Sequence, residues 1–484
     1  MLLRTTIPDR RTYTFRALNA RLEIISEKGQ LLSVYAEQVK GFEKENILQN
    51  TTESLSHDKK DFPHEHLNLN VRGMGLSATL AINEQCAALA AEGKRVFRLG
   101  LGQSPFPVPE HVTQALRENA HQKDYLQVKG LPTLREAIAG YLKRIHNLEY
   151  NPDNMLVGPG TKELMFLMQL VYYGDLVIPT PSWVSYAPQA DIIGRHIRWL
   201  ETNPCSGLRI TADALEELCK EDPSRPRLLI MNYPNNPTGY SYNENELEKI
   251  AQTARRYRIL VLSDEIYSAT QFDGRHFSIA RYYPHGTIIS NGISKWCGAG
   301  GWRLGAFVFP KSLTWLLKAM SAAASETYTS TSAPIQHAAV RAFEEHPEMD
   351  IYLNGVRSIL KTLADYFFRG LAQNGVSVHP AQGGFYLFPN FDPLREHFNR
   401  KGIHSSTDLC KKVLEETGVA MLPGCAFGRR PEELSARIAY VDFDGRAALE
   451  ALDRGESLDE AFIRNYCSNT VEAADRLCEW LHAR

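Results

Sequence analysis

No uninterrupted apolar run in this 484-residue chain approaches the roughly 18 residues that a membrane helix needs, so we expect no membrane partner. An excess of either charge is missing as well. Lys plus Arg number 54 and Asp plus Glu 56, a net charge of −2, which leaves no global basic field for nucleic acid. Cysteine is sparse. Eight residues, at 86, 205, 219, 297, 410, 425, 467 and 478, are too few for a disulfide scaffold, and none are spaced as a zinc knuckle or a redox CxxC. We therefore expect reduced thiols, no metal site and a cytoplasmic setting. Neither a Walker loop nor a GxGxxG fingerprint occurs, which disfavours nucleoside triphosphates and dinucleotides. No internal repeat is apparent, and the 25 Pro and 33 Gly are scattered, which excludes a fibrous chain. What is present, 43% hydrophobic and 23% charged residues, suits a core-forming enzyme.

Residues 1–72 differ from the rest. Glycine is scarce, and charges balance at ten basic against ten acidic over residues 1–70. We read an N-terminal extension, partly helical over about 15–45, followed by a linker. Its start is rich in arginine (Arg4, Arg10, Arg11, Arg16, Arg21) but has no apolar signal core. A solvated extension is the expectation, and a mitochondrial transit segment the alternative. From Arg72 onward short apolar runs recur at 155–158, 175–179, 228–233, 259–264, 287–290 and 305–309. Helix-period segments such as 244–257 alternate with them. That pattern predicts an α/β fold with a mostly parallel sheet covered on both faces. Beyond about 345 come a long helix, a strand pair at 376–391 and further strands at 419–427 and 436–443, a smaller α+β domain. We assign 73–118 and 346–484 to the small domain and 119–345 to the large one.

In parallel sheets the loops at the carboxyl ends of strands build the site. Four such loops carry unusual polar groups. The run from Asn232 to Gly239, NYPNNPTG, is a rigid turn dense in amides. Asp264 closes the apolar strand ILVLSD, where a carboxylate needs a partner; taken alone, a helix cap explains it. Lys295 stands in small, apolar surroundings within SNGISKWCGAGGWRLG, where burial favours a nucleophilic neutral amine. Arg303 follows eight residues later and suits a phosphate. Gly158-Pro159-Gly160-Thr161-Lys162 joins a strand to a helix N-terminus, an anion site. A phosphate, a carbonyl for the lysine and a ring nitrogen for the aspartate together describe pyridoxal 5′-phosphate.

With these residues in view, the chain resembles the class I/II, fold type I pyridoxal-phosphate aminotransferases of the aspartate aminotransferase superfamily. NYPNNPTG, SDEIYS, NGISKWCGAGGWRLG, GGFYLF, LPGCAFG and RIAY occur in that family's order, preceded by GLGQSPFPVP and DYLQVKGLPTLREAIAGYL. The resemblance covers roughly residues 75–484. It implies a large domain on a mostly parallel, seven-stranded-type sheet with helices around it. It further implies that Lys295 forms the internal aldimine and moves the substrate's proton. Asp264 would pair with the pyridine nitrogen, Tyr267 and Asn236 with the ring hydroxyl, and Trp183 would stack on the ring. Gly160, Thr161, Lys162 and Arg303 would hold the phosphate. Tyr125 would reach the phosphate of a neighbouring subunit's cofactor, which implies a homodimer. Arg437 would grip the substrate α-carboxylate, with Gly102 offering backbone beside it.

The implied activity is ping-pong transfer of an amino group from an L-amino acid to a 2-oxo acid. A C–S lyase or an aminocyclopropane-carboxylate-synthase-like elimination on the same residues is the alternative. A transcription regulator with an aminotransferase-like domain ranks low, because residues 1–70 carry no net charge. Two departures from the family pattern stand out. Gly292 replaces the hydroxyl residue often found three before the lysine, and Gln103 and Ser104 stand where an acid and a proline are common. The donor stays open, with Tyr186, Trp302, Phe106 and Tyr328 as guesses for a side-chain pocket. The segment 446–465 is an insertion without a reading.

Overall fold

The computed structural model describes residues 66–482 and, before them, the backbone of four strands. Met1–Leu67 and Asn68–Arg484 form separate units. In the first, β1 (Leu2–Thr6), β2 (Thr12–Leu18), β3 (Arg21–Ile25) and β4 (Leu31–Tyr35) make an antiparallel meander. This corrects the expected helix over about 15–45 in the part described. TYTFRAL, RLEII and LLSVY are rich in β-branched and aromatic residues, and period-two alternation in the first outweighs any 3.6-residue period. The register sets Arg16 opposite Glu23 and Phe15 opposite Ile24.

The second unit is built on a seven-stranded sheet. Its strands are β5 (Met155–Gly158), β6 (Asp175–Thr180), β7 (Ile197–Glu201), β8 (Arg227–Asn232), β9 (Leu260–Asp264), β10 (Thr287–Gly292) and β11 (Gly305–Val308). Their order is β5-β11-β10-β9-β8-β6-β7. Neighbouring residues serve opposite faces. Leu156, Ile288 and Phe307 pack in one apolar cluster, whereas Val157, Ile289 and Ala306 pack in another. Each fully buried Leu, Ile or Val adds about 1.5–3 kcal/mol. β11 alone runs antiparallel, to β10 and to β5. Residues 293–304 join β10 to β11 without a crossover helix, so the chain returns beside itself. β7 escaped the sequence reading because, unlike the fully buried edge strand β5, it is largely open to solvent. Its IRWLE sequence mixes charge with apolar residues and leaves Trp199 43% exposed.

A three-stranded sheet, β12 (Tyr386–Leu387), β14 (Ala436–Ala439) and β13 (Leu422–Pro423), packs with the long helix Pro347–Gln373. The cluster around it also takes in Phe97 and Leu99 from far earlier in the chain. The unread segment 446–465 now has a structural account. It supplies most of the helix Gly445–Asp453 and the start of Glu460–Tyr466, and Asp444 and Asp459 cap them. Ala448, Ala451, Phe462 and Ile463 drop into the same core. Among the described residues, no helix is long and apolar enough to cross a membrane.

Candidate active site

β8, β9 and β10 run parallel, so their carboxyl ends meet at one edge of the sheet. Register then does the chemistry's positioning. Asn232 pairs with Asp264 across β8 and β9, and Ser290 pairs with Asp264 across β9 and β10. Asp264 is buried and is not a helix cap. Its Oδ2 accepts a 2.6 Å hydrogen bond from the Tyr186 hydroxyl, and its Oδ1 a 3.2 Å bond from Ser290. Burial pushes its carboxyl up to about 6, against the pull of those hydroxyls. Asn232 Nδ2 donates to the Asp264 carbonyl at 2.9 Å, and Asn236 N–H donates back to Asn232 Oδ1 at 2.7 Å.

Glu265 faces away from Asp264, into a sealed cage. Ser263 and Ser278 donate to its Oε1 at 2.8 and 2.6 Å, and His276 Nε2 lies 3.0 Å from Oε2. Burial alone would raise this carboxyl, but His276 and the hydroxyls hold it below the usual value.

The loop after β10 brings Lys295 over the same edge. Its Nζ donates to the Gly102 carbonyl at 2.7 Å and lies 5.7 Å from the Tyr267 ring centroid. Burial, with Arg437 and Arg303 nearby, lowers the ammonium to about 8. At pH 7 roughly one lysine in ten is then neutral, against about one in 3,000 at the ordinary value.

Gly292 is explained by packing. A Cβ there would stand 2.8 Å from the Leu304 carbonyl and 3.0 Å from Gly305 Cα, so no hydroxyl side chain fits. Across the sheet Gly292, Gly305 and Gly158 lie in one row of the register. A Cβ on Gly305 would meet the Thr161 amide at 2.5 Å. The row lets the start of helix Thr161–Val171 close on the sheet edge.

That helix N-terminus has no side-chain cap. Gly160 precedes it at φ +93°, and a Cβ there would stand 2.4 Å from Arg303 Nη2. Gly160→Ala is expected to cost about 1–3 kcal/mol of stability and to displace Arg303. Thermal melts, with cofactor affinity by fluorescence, check it; wild-type values in both would contradict the cradle.

Arg437, on β14, is 1% exposed. Its Nη2 donates to the Gly100 carbonyl at 2.5 Å and Nη1 to Asn236 Oδ1 at 3.0 Å. Its guanidinium lies 4.7 Å from the Tyr386 ring and 5.1 Å from that of Phe427. Nε is buried without a hydrogen-bond partner.

These groups surround a cavity of about 440 Å3. Lys295, Asp264, Tyr267, Asn236, Gly102, Thr161, Lys162, Trp183, Arg303 and Arg437 line it. Gly160 stands just behind Thr161. Tyr125 does not reach it and is 92% exposed. Among the described lining residues Asp264 is the one carboxylate against four cations, and none of the four has an ion-pair partner among the described residues.

Residues missed in the sequence also belong here. The Tyr386 hydroxyl lies 2.9 Å from that of Tyr267 and 3.5 Å from the Gly102 carbonyl; its signal was its place in GGFYLF. Tyr186, a guess for the side-chain pocket, instead hydrogen-bonds Asp264. Phe106, Trp302 and Tyr328 are outside the described lining and pack in apolar clusters, so that guess is corrected. Ser77, Thr79 and Leu80 line the cavity, although nothing in their local pattern marks them.

Pyridoxal phosphate fits this residue set. The uncapped helix end, with Arg303 and Lys162, matches its phosphate, the buried Asp264 its ring nitrogen and Lys295 its carbonyl. A pH effect follows from Asp264. Its folded-state value of about 6 exceeds the ordinary 3.8, so between pH 4 and 6 the folded chain keeps a proton the unfolded chain has lost. Stability of the cofactor-free protein therefore falls as pH rises through that window, by about 3 kcal/mol from this group. Asp264→Asn removes the titration and is expected to gain that much relative to wild type from pH 4 to 6. Denaturant melts at both pH values measure it, and parallel curves would count against it.

A model of the family "Aminotransferase class I and II" matches residues 94–449. An aspartate aminotransferase of Bacillus sp. (strain YM-2) is 32% identical over 79% of this chain and 97% of its own length. An asparagine–oxo-acid transaminase of Streptococcus mutans is 29% identical over 81% and 99%. The solved structure of Thermus thermophilus aspartate aminotransferase with maleate superposes at a TM-score of 0.74, with 27% identity, over 86% of this chain and all of that one. Motif order, strand register, the cation-lined cavity and these likenesses agree: the chain belongs to the class I and II aminotransferases, pyridoxal-phosphate-dependent enzymes that transfer amino groups between amino acids and 2-oxo acids.

Proposed function

We propose that this aminotransferase takes short dicarboxylic or amide donors of the aspartate and asparagine type, and that the residues above divide the work as follows. One observation carries the amino-acid reading itself, before any choice of donor: Arg437 is a buried cation with its Nε unpartnered and, among the described residues, no carboxylate beside it. Its fork is open to an α-carboxylate in bidentate fashion. Asn236 and the Gly100 carbonyl hold the fork's far side, so the guanidinium plane is set before substrate arrives.

When bound, pyridoxal phosphate supplies an electron sink for the bond broken at the substrate's Cα. Asp264, anchored by Tyr186 and Ser290, keeps negative charge at the ring-nitrogen end of the cavity. Arg303, Lys162 and the amides of helix Thr161–Val171 hold the phosphate end. Trp183 flanks the cavity as a ring-stacking surface. Lys295 takes the proton from Cα and returns it elsewhere, and its lowered proton affinity suits both directions near neutral pH. Tyr267, held by Tyr386, and Asn236 orient the ring hydroxyl.

The donor reading rests on the mouth and on the relatives. Ser77, Thr79 and Gln103 offer hydroxyl and amide groups there, and relatives carry the names aspartate aminotransferase and asparagine–oxo-acid transaminase. The exposed ring of Tyr125 supports a homodimer in which Tyr125 of one protomer completes the phosphate end of the other's site. The cluster joining Phe97 and Leu99 to residues beyond Val356 supports a large domain over 119–345 and a small one from 73–118 and 346–484, with Val112, Met349 and Leu353 packing instead in the large-domain core.

The test is the absorbance of the purified holoenzyme mixed with single amino acids and no 2-oxo acid. Aspartate or asparagine is expected to convert the bound cofactor fastest. Faster conversion by phenylalanine or tyrosine would overturn the donor reading. Ammonia or pyruvate accumulating without conversion would instead favour elimination.

A further inference from the structure

Away from the cavity, two helix starts bring three metal-ligating side chains together. His111 is the second residue of the helix Glu110–Asn119. His346 flanks the long helix Pro347–Gln373, and Glu348 lies in that helix's first turn. One ligand atom from each falls within 4.8 Å of the others. The imidazoles stack with centroids 4.0 Å apart and planes 8° apart.

His111 is set apart by what it lacks. Its side chain is 11% exposed, yet Nδ1 and Nε2 are both buried without a hydrogen-bond partner. His346 Nδ1 is in the same position. Three orphaned nitrogens in one place call for a ligand, since a buried polar atom left unpaired costs free energy.

Geometry narrows the ligand. His111 Nδ1 lies 3.5 Å from Glu348 Oε2, too long for a hydrogen bond. Two ligands of one tetrahedral zinc ion, each about 2.0–2.1 Å from it, stand roughly 3.3 Å apart. We propose that His111, His346 and Glu348 bind one divalent transition-metal ion of the zinc class, which ties the helix Glu110–Asn119 to the start of the long helix Pro347–Gln373. Two imidazoles and one carboxylate suit zinc or cobalt and leave one tetrahedral position to solvent. Because lone pairs lie in the ring planes, capture turns one imidazole so that both converge on the ion. Glu348, 66% exposed, leaves an entry path. None of the three lines the catalytic cavity, so the ion is a clamp and takes no part in amino transfer.

The experiment uses the full-length holoenzyme without a histidine tag, stripped with chelator and titrated with Co2+ by visible absorption and with Zn2+ by calorimetry. One ion per chain is expected, with the intense visible bands of tetrahedral cobalt and a melting temperature raised by zinc. His111→Ala and His346→Ala should each weaken binding by at least ~100-fold, and Glu348→Gln by ~10-fold or more, with amino transfer unchanged. Should a histidine variant fold poorly, the exposed Glu348→Gln still reads the site. No saturable binding by wild type, or undiminished binding in all three variants, would overturn the proposal.

Discussion

Replacing Lys295 with alanine is expected to lower amino transfer by about 10⁴-fold or more while the protein still binds pyridoxal phosphate. General acid–base catalysis by one placed group contributes up to about 10⁴-fold, and in the proposed division of roles the same amine would also hold the cofactor. Among the described lining residues no other group substitutes for it. Lys162 and Arg303 sit by the start of helix Thr161–Val171, Arg437 stays charged, and the Tyr267 and Tyr386 hydroxyls are pushed above the ordinary tyrosine value by burial. Cofactor binding survives because Arg303, the helix start at Thr161 and Asp264 are untouched. Steady-state rates and the bound-cofactor spectrum read the two halves separately. Partial rescue by added small amines would mark the loss as chemical. A variant within tenfold of wild type would remove Lys295 from the reaction.

The second large effect belongs to Arg437. Arg437→Met is expected to reduce kcat/KM for every amino acid by about 10²–10³-fold, because a buried bidentate carboxylate partner is worth roughly 2–5 kcal/mol. It should do so without lowering the melting temperature of the substrate-free enzyme. The wild-type guanidinium is buried, with ring faces and neutral oxygens as its only compensation among the described contacts. An apolar residue of similar length removes a desolvated charge, and such changes are often neutral or stabilising. Arg437→Lys keeps the charge but loses the fork, so at least about a tenfold loss remains. Activity loss with proportionate unfolding would show that Arg437 is structural.

Much of this was visible in the chain before folding. Apolar runs bounded by Pro, Gly, Asn and Asp marked six of the seven strands in the larger sheet, because strands buried on both faces must be apolar throughout. The seventh, at the edge, kept one wet face and lost that signal. In the N-terminal segment the helical reading overlooked a period of two in TYTFRAL. Polar residues breaking an apolar strand end, such as Asp264 and Lys295, stood out because an unpartnered buried charge is costly.

Other features came only with the tertiary structure. Asn232, Asp264 and Ser290 became neighbours through strand register, which depends on hydrogen bonding between segments about 30 residues apart. In the sequence Tyr186 is only a guess for the side-chain pocket and Tyr386 only part of GGFYLF, and where their hydroxyls point depends on partners 78 and 119 residues distant. Gly292 stood out in the sequence only as a departure from the family pattern, and the Leu304 carbonyl beside it shows why no side chain fits. Composition and local pattern set the strands, helices and chemical residue types, since those depend on neighbours in sequence. Which polar groups meet, and which remain unpaired until a ligand arrives, was decided by packing between distant segments, where the free-energy cost of a misplaced charge is settled.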